Sequence, residues 1–296
     1  MELDMLPLPA RRLLATFALL GLAGSALAAQ PLKLDIYNPG NEAIFPVSSV
    51  LVTGEKDAIL IDAQFAKPQA EQIVETIRKS GKNLTTIYIS HGDPDFYFGL
   101  QTFTKAFPNA RVVASAQTVA HIQETKDAKL AYWGPKLGAG APDKVIVPEV
   151  LQGNELKLEG QKLQVIGLDG PQPDRTFVWI PSIKAVMGGV VLSNNIHVWM
   201  ADTQSAKSHQ DWLATLAAIE KLQPATIVPG HFLPGELKPN QSPDFTARYI
   251  KTFDAETTKA KDSVALIEAM KAHYPKLADE SSLVLSAKVA KGEMKW

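Results

Sequence analysis

The sequence predicts an α/β protein in which two β-sheets pack face to face and helices cover their outer sides. Two observations point to this architecture. Short apolar strands fall into two groups, one within residues 47–114 and the other within residues 145–191. Stretches with apolar residues at helical spacing interleave with these strands and follow them. Two strand-rich halves with interleaved helices favour two packed sheets with helices outside.

The first half of the chain opens with a predicted hairpin. Apolar runs at 47–52 and 57–62 flank a short polar segment in which Gly54 supplies the turn. The next elements are expected in the order helix 68–80, strand 86–90, helix 100–107, strand 111–114 and helix 116–126. Pro68 at the start of the first helix and Gly81 after its end fit the usual preferences at helix termini.

The second half contains mostly strands before it becomes helical. We expect a Gly-, Ala- and Pro-rich loop at 134–142, then strands at 145–147, 155–159, 162–168, 176–180 and 184–191. Helix 205–222 carries Trp212, Leu216 and Ile219 on one stripe, and strand 225–228 follows it. Residues 242–274 are mostly helical by period. The predicted organisation is a core domain over 29–240 with a helical extension, 241–296, packed on it.

The N-terminus has the pattern of a secretory signal peptide. Arg11 and Arg12 precede an apolar run from Leu13 to Leu27, which ends in an Ala-x-Ala cleavage pattern at Ala28. The run is short for a membrane span. We therefore expect residues 1–28 to be removed and the mature protein to be periplasmic or secreted, without a stable membrane span. An uncleaved N-terminal anchor is the alternative.

Composition excludes several kinds of function. The chain has 30 basic and 31 acidic residues, so it has no excess positive charge for nucleic acid. It has no cysteine, which rules out disulfides, thiolate ligands and a cysteine nucleophile. Any metal site must use histidine and carboxylates. The expected partner is a small molecule, and the oligomeric state is open.

Two segments place polar residues directly after an apolar strand, where α/β sheets usually carry their sites. These are Ser90-His-Gly-Asp-Pro-Asp95 and Pro229-Gly-His231. His91, Asp93 and Asp95 alternate along an extended loop, so their side chains could converge on one metal ion such as zinc, iron or manganese. The alternative is an ordinary loop with an Asp-Pro turn and an aspartate capping the next helix.

These features together resemble the metallo-β-lactamase superfamily. The resemblance rests on the hairpin ending in Ile-Asp62, the strand that runs into the His91 loop, and Val-Pro-Gly-His231. It covers roughly residues 45–235. It implies a four-layer αββα sandwich with two metal ions in a groove at the edge where the sheets meet.

The match to the signature of that family, His-x-His-x-Asp-His followed by three further ligands, is partial. His91, Asp95 and His231 match ligand positions, whereas Asp93 and Phe96 replace the second and third histidines. The segment 168–174 contains no histidine, and Gly189 or Val190 stands at the bridging position. Two zinc ions are therefore not expected.

The resemblance then implies an exported hydrolase with an atypical, mononuclear site. The predicted ligands of one divalent metal (zinc, iron or manganese) are His91, Asp93, Asp95 and His231, with Asp169 or Asp174 as extra candidates. The metal would activate water to attack an ester or lactone, with Asp95 or Asp93 as orienting group or general base. The alternative is a metal-free protein that binds a small ligand in the same groove. Hydrolysis of β-lactams is not expected.

Three further residues are predicted to bind substrate: His197, Trp199 and Tyr97. For His197 the alternative is a buried histidine with its own partner beside a packed Trp199. Tyr97 and Trp133 are equally compatible with the core. Asp202 either acts in the site or caps the next helix. Three histidines within helical stretches are expected at the surface: His121, His209 and His273.

Overall fold

The computed structural model describes Met1, residues 30–236 and residues 238–296, and most of its strands belong to two sheets. Apart from Met1, the predicted signal peptide at 1–28 lies outside the described residues. Among the residues that are described, no helix is long and apolar enough to cross a membrane.

The first sheet has six strands that neighbour each other in chain order. β1 to β3 pair antiparallel, and β3 to β6 pair parallel. The strands are β1 (Lys33–Tyr37), β2 (Ser49–Thr53), β3 (Asp57–Ile61), β4 (Asn83–Ile89), β5 (Arg111–Ala114) and β6 (Glu149–Val150). The predicted hairpin is confirmed as β2 and β3. The loops that follow the parallel strands β3, β4 and β5 meet at one edge of this sheet.

The second sheet has five strands in the order β12-β10-β9-β8-β7. They are β7 (Glu155–Leu158), β8 (Gln161–Ile166), β9 (Phe177–Ile180), β10 (Ala185–Met187) and β12 (Thr226–Val228). A short parallel pair, β11 (Ser193–Asn194) and β13 (His231–Phe232), lies outside both sheets. This pair fixes the position of His231.

The helices form an outer layer on each sheet. Those that alternate with the strands of the first sheet are α1 (Lys67–Ser80), α2 (Pro94–Tyr97), α3 (Leu100–Ala106) and α4 (Ala116–Leu137). Those that follow the second sheet are α5 (Ala206–Lys221), α6 (Ser242–Lys259), α7 (Ser263–His273) and α8 (Glu280–Ala290).

Alternating side chains along the strands divide the core into layers. In β3, Leu60 packs with the apolar faces of α1 and α3, whereas Ile61 packs between the sheets. In β9, Val178 joins the same cluster between the sheets, and Trp179 packs with α5 and α6. The four-layer αββα sandwich that the sequence predicts is therefore confirmed.

The C-terminal helices share one apolar cluster with the second sheet. Trp212 of α5, which is fully buried, lies in this cluster with Tyr249 and Phe253 of α6. Met270 of α7 and Leu283 of α8 complete it. The helical C-terminal region is thus confirmed, and the exact boundaries at 29–240 and 241–296 stay a prediction.

Helix α4 differs from the expected one because it continues to Leu137 instead of ending at 126. Leu130, Trp133 and Leu137 extend its apolar stripe at spacings of three and four and pack against the core under the first sheet. The helix ends at Gly138, whose φ of 53° is a conformation that glycine adopts without steric cost. The predicted loop at 134–142 therefore begins only after the helix.

Two predicted strands also differ. Residues 145–147 form no strand, and their side chains pack against the first core cluster while β6 pairs two residues later. The expected strand 184–191 ends at Met187, because Gly188 and Gly189 have φ of 70° and 79° and turn the chain out of the sheet. This turn leads into the candidate site.

We predict that α6 belongs to the same cooperative unit as the sandwich. Phe253→Ala, which removes a ring with 2% exposure, should lower the free energy of unfolding by about 3 kcal/mol or more. Val264→Ala, at a position that is 62% exposed, is the control and should change it by no more than about 0.5 kcal/mol. Urea unfolding measures both. If the main unfolding transition of Phe253→Ala occurs at the same urea concentration as that of the wild type, α6 does not share the core of the sandwich.

Candidate functional site

The candidate residues lie where strands of the two sheets end. β4 leads into His91, and β12 is followed by Pro229, Gly230 and His231. The second loop is held by Ser48, whose backbone N–H donates to the Gly230 carbonyl at 2.8 Å and whose hydroxyl donates to the Pro229 carbonyl at 2.7 Å. The hairpin of the first sheet therefore fixes the loop that carries His231.

A buried carboxylate, Asp62, is hydrogen-bonded to Ser90, the residue that follows β4. Asp62 has φ of 63°, and its two oxygens accept the backbone N–H of Ser90 at 2.8 Å and the Ser90 hydroxyl at 2.7 Å. Ser90 Oγ accepts the N–H of Gly189 at 2.7 Å. Burial raises the pKa of Asp62 to about 7, although the hydrogen bonds from Ser90 and the charge of His91 lower it. Asp62 thus positions the residue before His91.

The first polar group of the site is centred on Asp93. Its Oδ2 lies 3.3 Å from His91 Nδ1, and its Oδ1 accepts a hydrogen bond from Lys129 Nζ at 2.8 Å. The same ammonium donates to the Gly92 carbonyl at 3.1 Å and lies 3.0 Å from His121 Nε2. Burial raises the pKa of Asp93, but His91 and Lys129 outweigh it and keep that pKa well below its ordinary value.

The second polar group is a pair of Asp95 and His231. Asp95 Oδ2 and His231 Nε2 are 2.7 Å apart, and their side chains are only 8% and 14% exposed. Burial lowers the pKa of His231, but the hydrogen bond with Asp95 and the nearby carboxylates raise it by more, so the net shift is upward. With the carboxylate as acceptor, the neutral imidazole carries its proton on Nε2 and a lone pair on Nδ1.

Phe96 contacts the histidines of both groups. Its ring is fully buried, and its centroid lies 5.4 Å from that of His91 and 5.3 Å from that of His231, both in edge-to-face geometry. Among the described residues, no group of three or more histidines and carboxylates is arranged to hold a metal ion. The side chains predicted as ligands thus form two pairs, and their assignment as ligands stays a prediction.

The expected ligand positions later in the chain supply few groups that could bind a metal. At Gly189 an added Cβ would lie 2.0 Å from the Thr176 carbonyl oxygen, so no side chain fits at this position. Val190 is buried in the core cluster under the first sheet. Asp174 lines the cavity described next, whereas Asp169 is not part of its wall.

A cavity of about 640 Å³ lies over both polar groups. The predicted site residues in its wall are His91, Asp93, Asp95, His197, Trp199 and His231. Tyr97 lies outside the wall: its ring is fully buried in the core, 5.2 Å from that of Phe98. Trp133 does line the cavity, together with Phe45 and Tyr132 of the same aromatic cluster.

His197 lines the cavity but has its own buried partner. Its Nδ1 lies 3.0 Å from the Tyr249 hydroxyl of α6, and its backbone N–H donates to the Ala278 carbonyl at 2.9 Å. Burial lowers the pKa of His197 to about 4, so the ring is neutral at pH 7. It presents an uncharged wall to the cavity.

Asp202 holds two tryptophans at the mouth of the cavity. Its oxygens accept the indole N–H of Trp199 at 2.7 Å and that of Trp296 at 2.6 Å, and the two rings are 4.9 Å apart. Burial and the charge of Asp93 raise the pKa of Asp202 to about 6. The cap of α5 is Ser205, not Asp202.

Several residues of this wall are not predicted by the sequence. A stripe of α4 at spacings of three and four faces the cavity, namely Thr118, His121, Thr125, Ala128, Lys129 and Tyr132. That spacing is the signal that could have found it. His121 is therefore in the wall and not on the outer surface. His209 is also not at the surface: it is buried, with Asp254 Oδ1 2.6 Å from its Nδ1.

Comparison with known proteins agrees with the fold. Residues 44–231 match the family model of the metallo-β-lactamase superfamily, so the chain belongs to that superfamily. Many members of the superfamily bind divalent metals and act as hydrolases.

Three individual proteins illustrate the similarity. A metallo-β-lactamase family protein from Thermus thermophilus has a TM-score of 0.59 at 16% identity, covering 88% of this chain and 91% of its own. A metallo-β-lactamase from Pontibacter korlensis has a TM-score of 0.50 at 18% identity, covering 74% and 93%. The uncharacterized protein YobT of Bacillus subtilis (strain 168) is 36% identical over 74 residues, 25% of this chain and 31% of YobT. The two structural neighbours are similar in fold alone.

We predict that Asp62→Asn changes how stability depends on pH. The folded pKa of Asp62 is about 7, above its ordinary 3.8, so the stability that its proton contributes is complete below about pH 4 and is lost as the pH rises to about 7. The free energy of unfolding of the wild type, relative to that of the variant, should fall over this range and then level off.

Urea unfolding at a series of pH values measures this difference. Asp127→Asn, at a carboxylate whose side chain is 86% exposed, is the control for the loss of a surface charge. If the difference for Asp62→Asn stays constant from about pH 4 to pH 8, Asp62 does not titrate as described.

Proposed function

We propose that this chain is an exported hydrolase-like protein that binds a small ester or lactone in the cavity and hydrolyses it with the Asp95–His231 pair. The observation that carries the proposal is the 2.7 Å contact between these two side chains in the wall of a cavity of about 640 Å³. A cavity of this volume is in the range of small-molecule sites. The aromatic walls suit an apolar part of the substrate.

The chemistry follows from the tautomer of His231. Asp95 accepts the Nε2 proton, and in the proposed reaction the Nδ1 lone pair takes a proton from water as the water oxygen attacks the ester carbonyl. The tetrahedral intermediate then collapses, the carbon–oxygen bond to the leaving group breaks, and the proton on Nδ1 passes to the leaving alkoxide. Asp95 orients the imidazole throughout and stabilises its protonated form.

Asp93 is less suited to act as the base. Lys129 and His91 keep its pKa well below the ordinary value, so the carboxylate holds a proton only weakly. Of the two carboxylates predicted to be catalytic, the proposal therefore uses Asp95 as the orienting group and gives Asp93 no proton transfer.

A single divalent metal was predicted at His91, Asp93, Asp95 and His231. The arrangement of these four side chains is poorly suited to hold it. Asp93 is hydrogen-bonded to Lys129 at 2.8 Å and Asp95 to His231 at 2.7 Å, and the apolar ring of Phe96 packs on both histidines. A metal would have to break both pairs. The mechanism accordingly assigns no step to zinc, iron or manganese.

A ligand-binding protein without turnover is the second candidate. The hydrogen bonds of Asp93 with Lys129 and of Asp95 with His231 favour this candidate, because polar groups that already bind each other have less capacity to act on a substrate. In this case the cavity binds a small molecule, and Trp199 and Trp296 at its mouth contribute to the binding.

We predict that His231→Gln loses hydrolytic activity. A panel of nitrophenyl esters and lactones should reveal turnover by the wild type, and kcat/KM should fall by about 100-fold or more in the variant, because the base is removed. His273→Gln is the matched control, since its side chain is 51% exposed and lies on α7. Equal activity in His231→Gln and wild type would exclude His231 as the base. Thermal stabilisation by a panel compound without product formation would favour the binding protein.

We also propose that the protein is exported, on the evidence of residues 1–28. The predicted product of cleavage after Ala28 begins at Ala29. Expression in a Gram-negative host, fractionation and intact-mass measurement should give a periplasmic protein of that mass. A full-length chain in the cytoplasmic fraction would contradict the proposal, and a full-length chain in the membrane fraction would indicate an uncleaved anchor.

A further inference from the structure

Lys129 makes an unusual set of contacts for a lysine at a cavity wall. Its ammonium is within 3.1 Å of three acceptors: Asp93 Oδ1, the Gly92 carbonyl and His121 Nε2. An ammonium has three protons, so these three partners satisfy it. Its side chain is 19% exposed. These contacts fix it beside Asp93, unlike the mobile position of a surface lysine.

The residues around this ammonium are arranged to keep it there. His121 can accept from Lys129 only through an unprotonated Nε2, and burial together with the Lys129 charge lowers the pKa of His121. Gly92 leaves room for the His121 ring, because an added Cβ would lie 2.6 Å from His121 Cδ2. The loop after β4 and the helix α4 therefore form one receptor for a cation.

We propose that the Lys129 ammonium is a built-in cation that neutralises Asp93 and, together with the ring of Phe96, excludes a divalent metal from the His91 side of the site. A metal bound by His91 and Asp93 would lie a few ångströms from the ammonium, where two positive charges repel strongly in a partly buried site. Asp93 Oδ1 is occupied by Lys129, and Oδ2 faces His91. The ring of Phe96 packs edge-to-face on both His91 and His231, and it offers no ligand atom to a metal.

This inference concerns cation binding and does not depend on whether the cavity hydrolyses a substrate. Its test therefore uses zinc alone and measures binding. Lys129→Met removes the charge but keeps an unbranched side chain of similar length. Lys126→Met, on the same helix with a side chain that is 22% exposed and paired with Asp127, is the matched control.

Zinc titration against a chromophoric chelator compares the three proteins. We expect wild type and Lys126→Met to bind zinc equally weakly, and Lys129→Met to bind it at least about tenfold more tightly, because the repelling charge is gone and Asp93 is free. Phe96→His combined with Lys129→Met should bind more tightly again. Unchanged zinc affinity in Lys129→Met, or tight stoichiometric zinc in the wild type, would overturn the proposal.

A second measurement keeps the proposal testable if Lys129→Met does not fold. Long-range nitrogen–proton NMR spectra of wild-type protein report which nitrogen of His121 carries its proton. The proposal requires an unprotonated Nε2 facing Lys129, and the same tautomer should be retained in Lys129→Arg. A proton on Nε2 of His121 in the wild type would show that Lys129 does not donate to it, which contradicts the receptor described above.

Discussion

The fully buried ring of Phe96 packs edge-to-face against the imidazoles of both His91 and His231, and this apolar contact joins the two polar groups of the site. Each of these histidines lies next to a different carboxylate: His91 next to Asp93 and His231 next to Asp95. Asp95 is hydrogen-bonded to His231 at 2.7 Å and Asp93 to Lys129 at 2.8 Å, whereas His91 Nδ1 lies 3.3 Å from Asp93 Oδ2 as a looser contact. The site therefore contains two separate acid–base groups, and one aromatic side chain contacts the histidine of each.

The sandwich supplies the rigid frame on which this arrangement depends. Asp62 and Ser90 connect the ends of β3 and β4 to Gly189 after β10, so both sheets meet under the first polar group. Ser48 anchors the loop that carries His231. Because these contacts are buried hydrogen bonds, the spacing between the two polar groups is set by the core and not by flexible loops.

The sequence predicted the layers of the fold and the two loops of the site, because the period of apolar residues and the turn signals are local. It predicted Asp93 and Asp95 as neighbours on one loop, but it did not separate their partners. Lys129 is 36 residues from Asp93 and lies on a helix that the apolar pattern was expected to end at 126. Trp296 and Asp202 are 94 residues apart, and no local pattern connects them. Contacts of this kind depend on tertiary packing.

The central claim is that Phe96 keeps His91 and His231 from sharing a metal ion. Crystals of the mature protein soaked with zinc, with anomalous diffraction recorded at the zinc edge, test it most directly. The account predicts no anomalous peak between the two imidazoles and a phenyl ring still in contact with both of them. A zinc peak about 2.1 Å from a nitrogen of both His91 and His231 would contradict it.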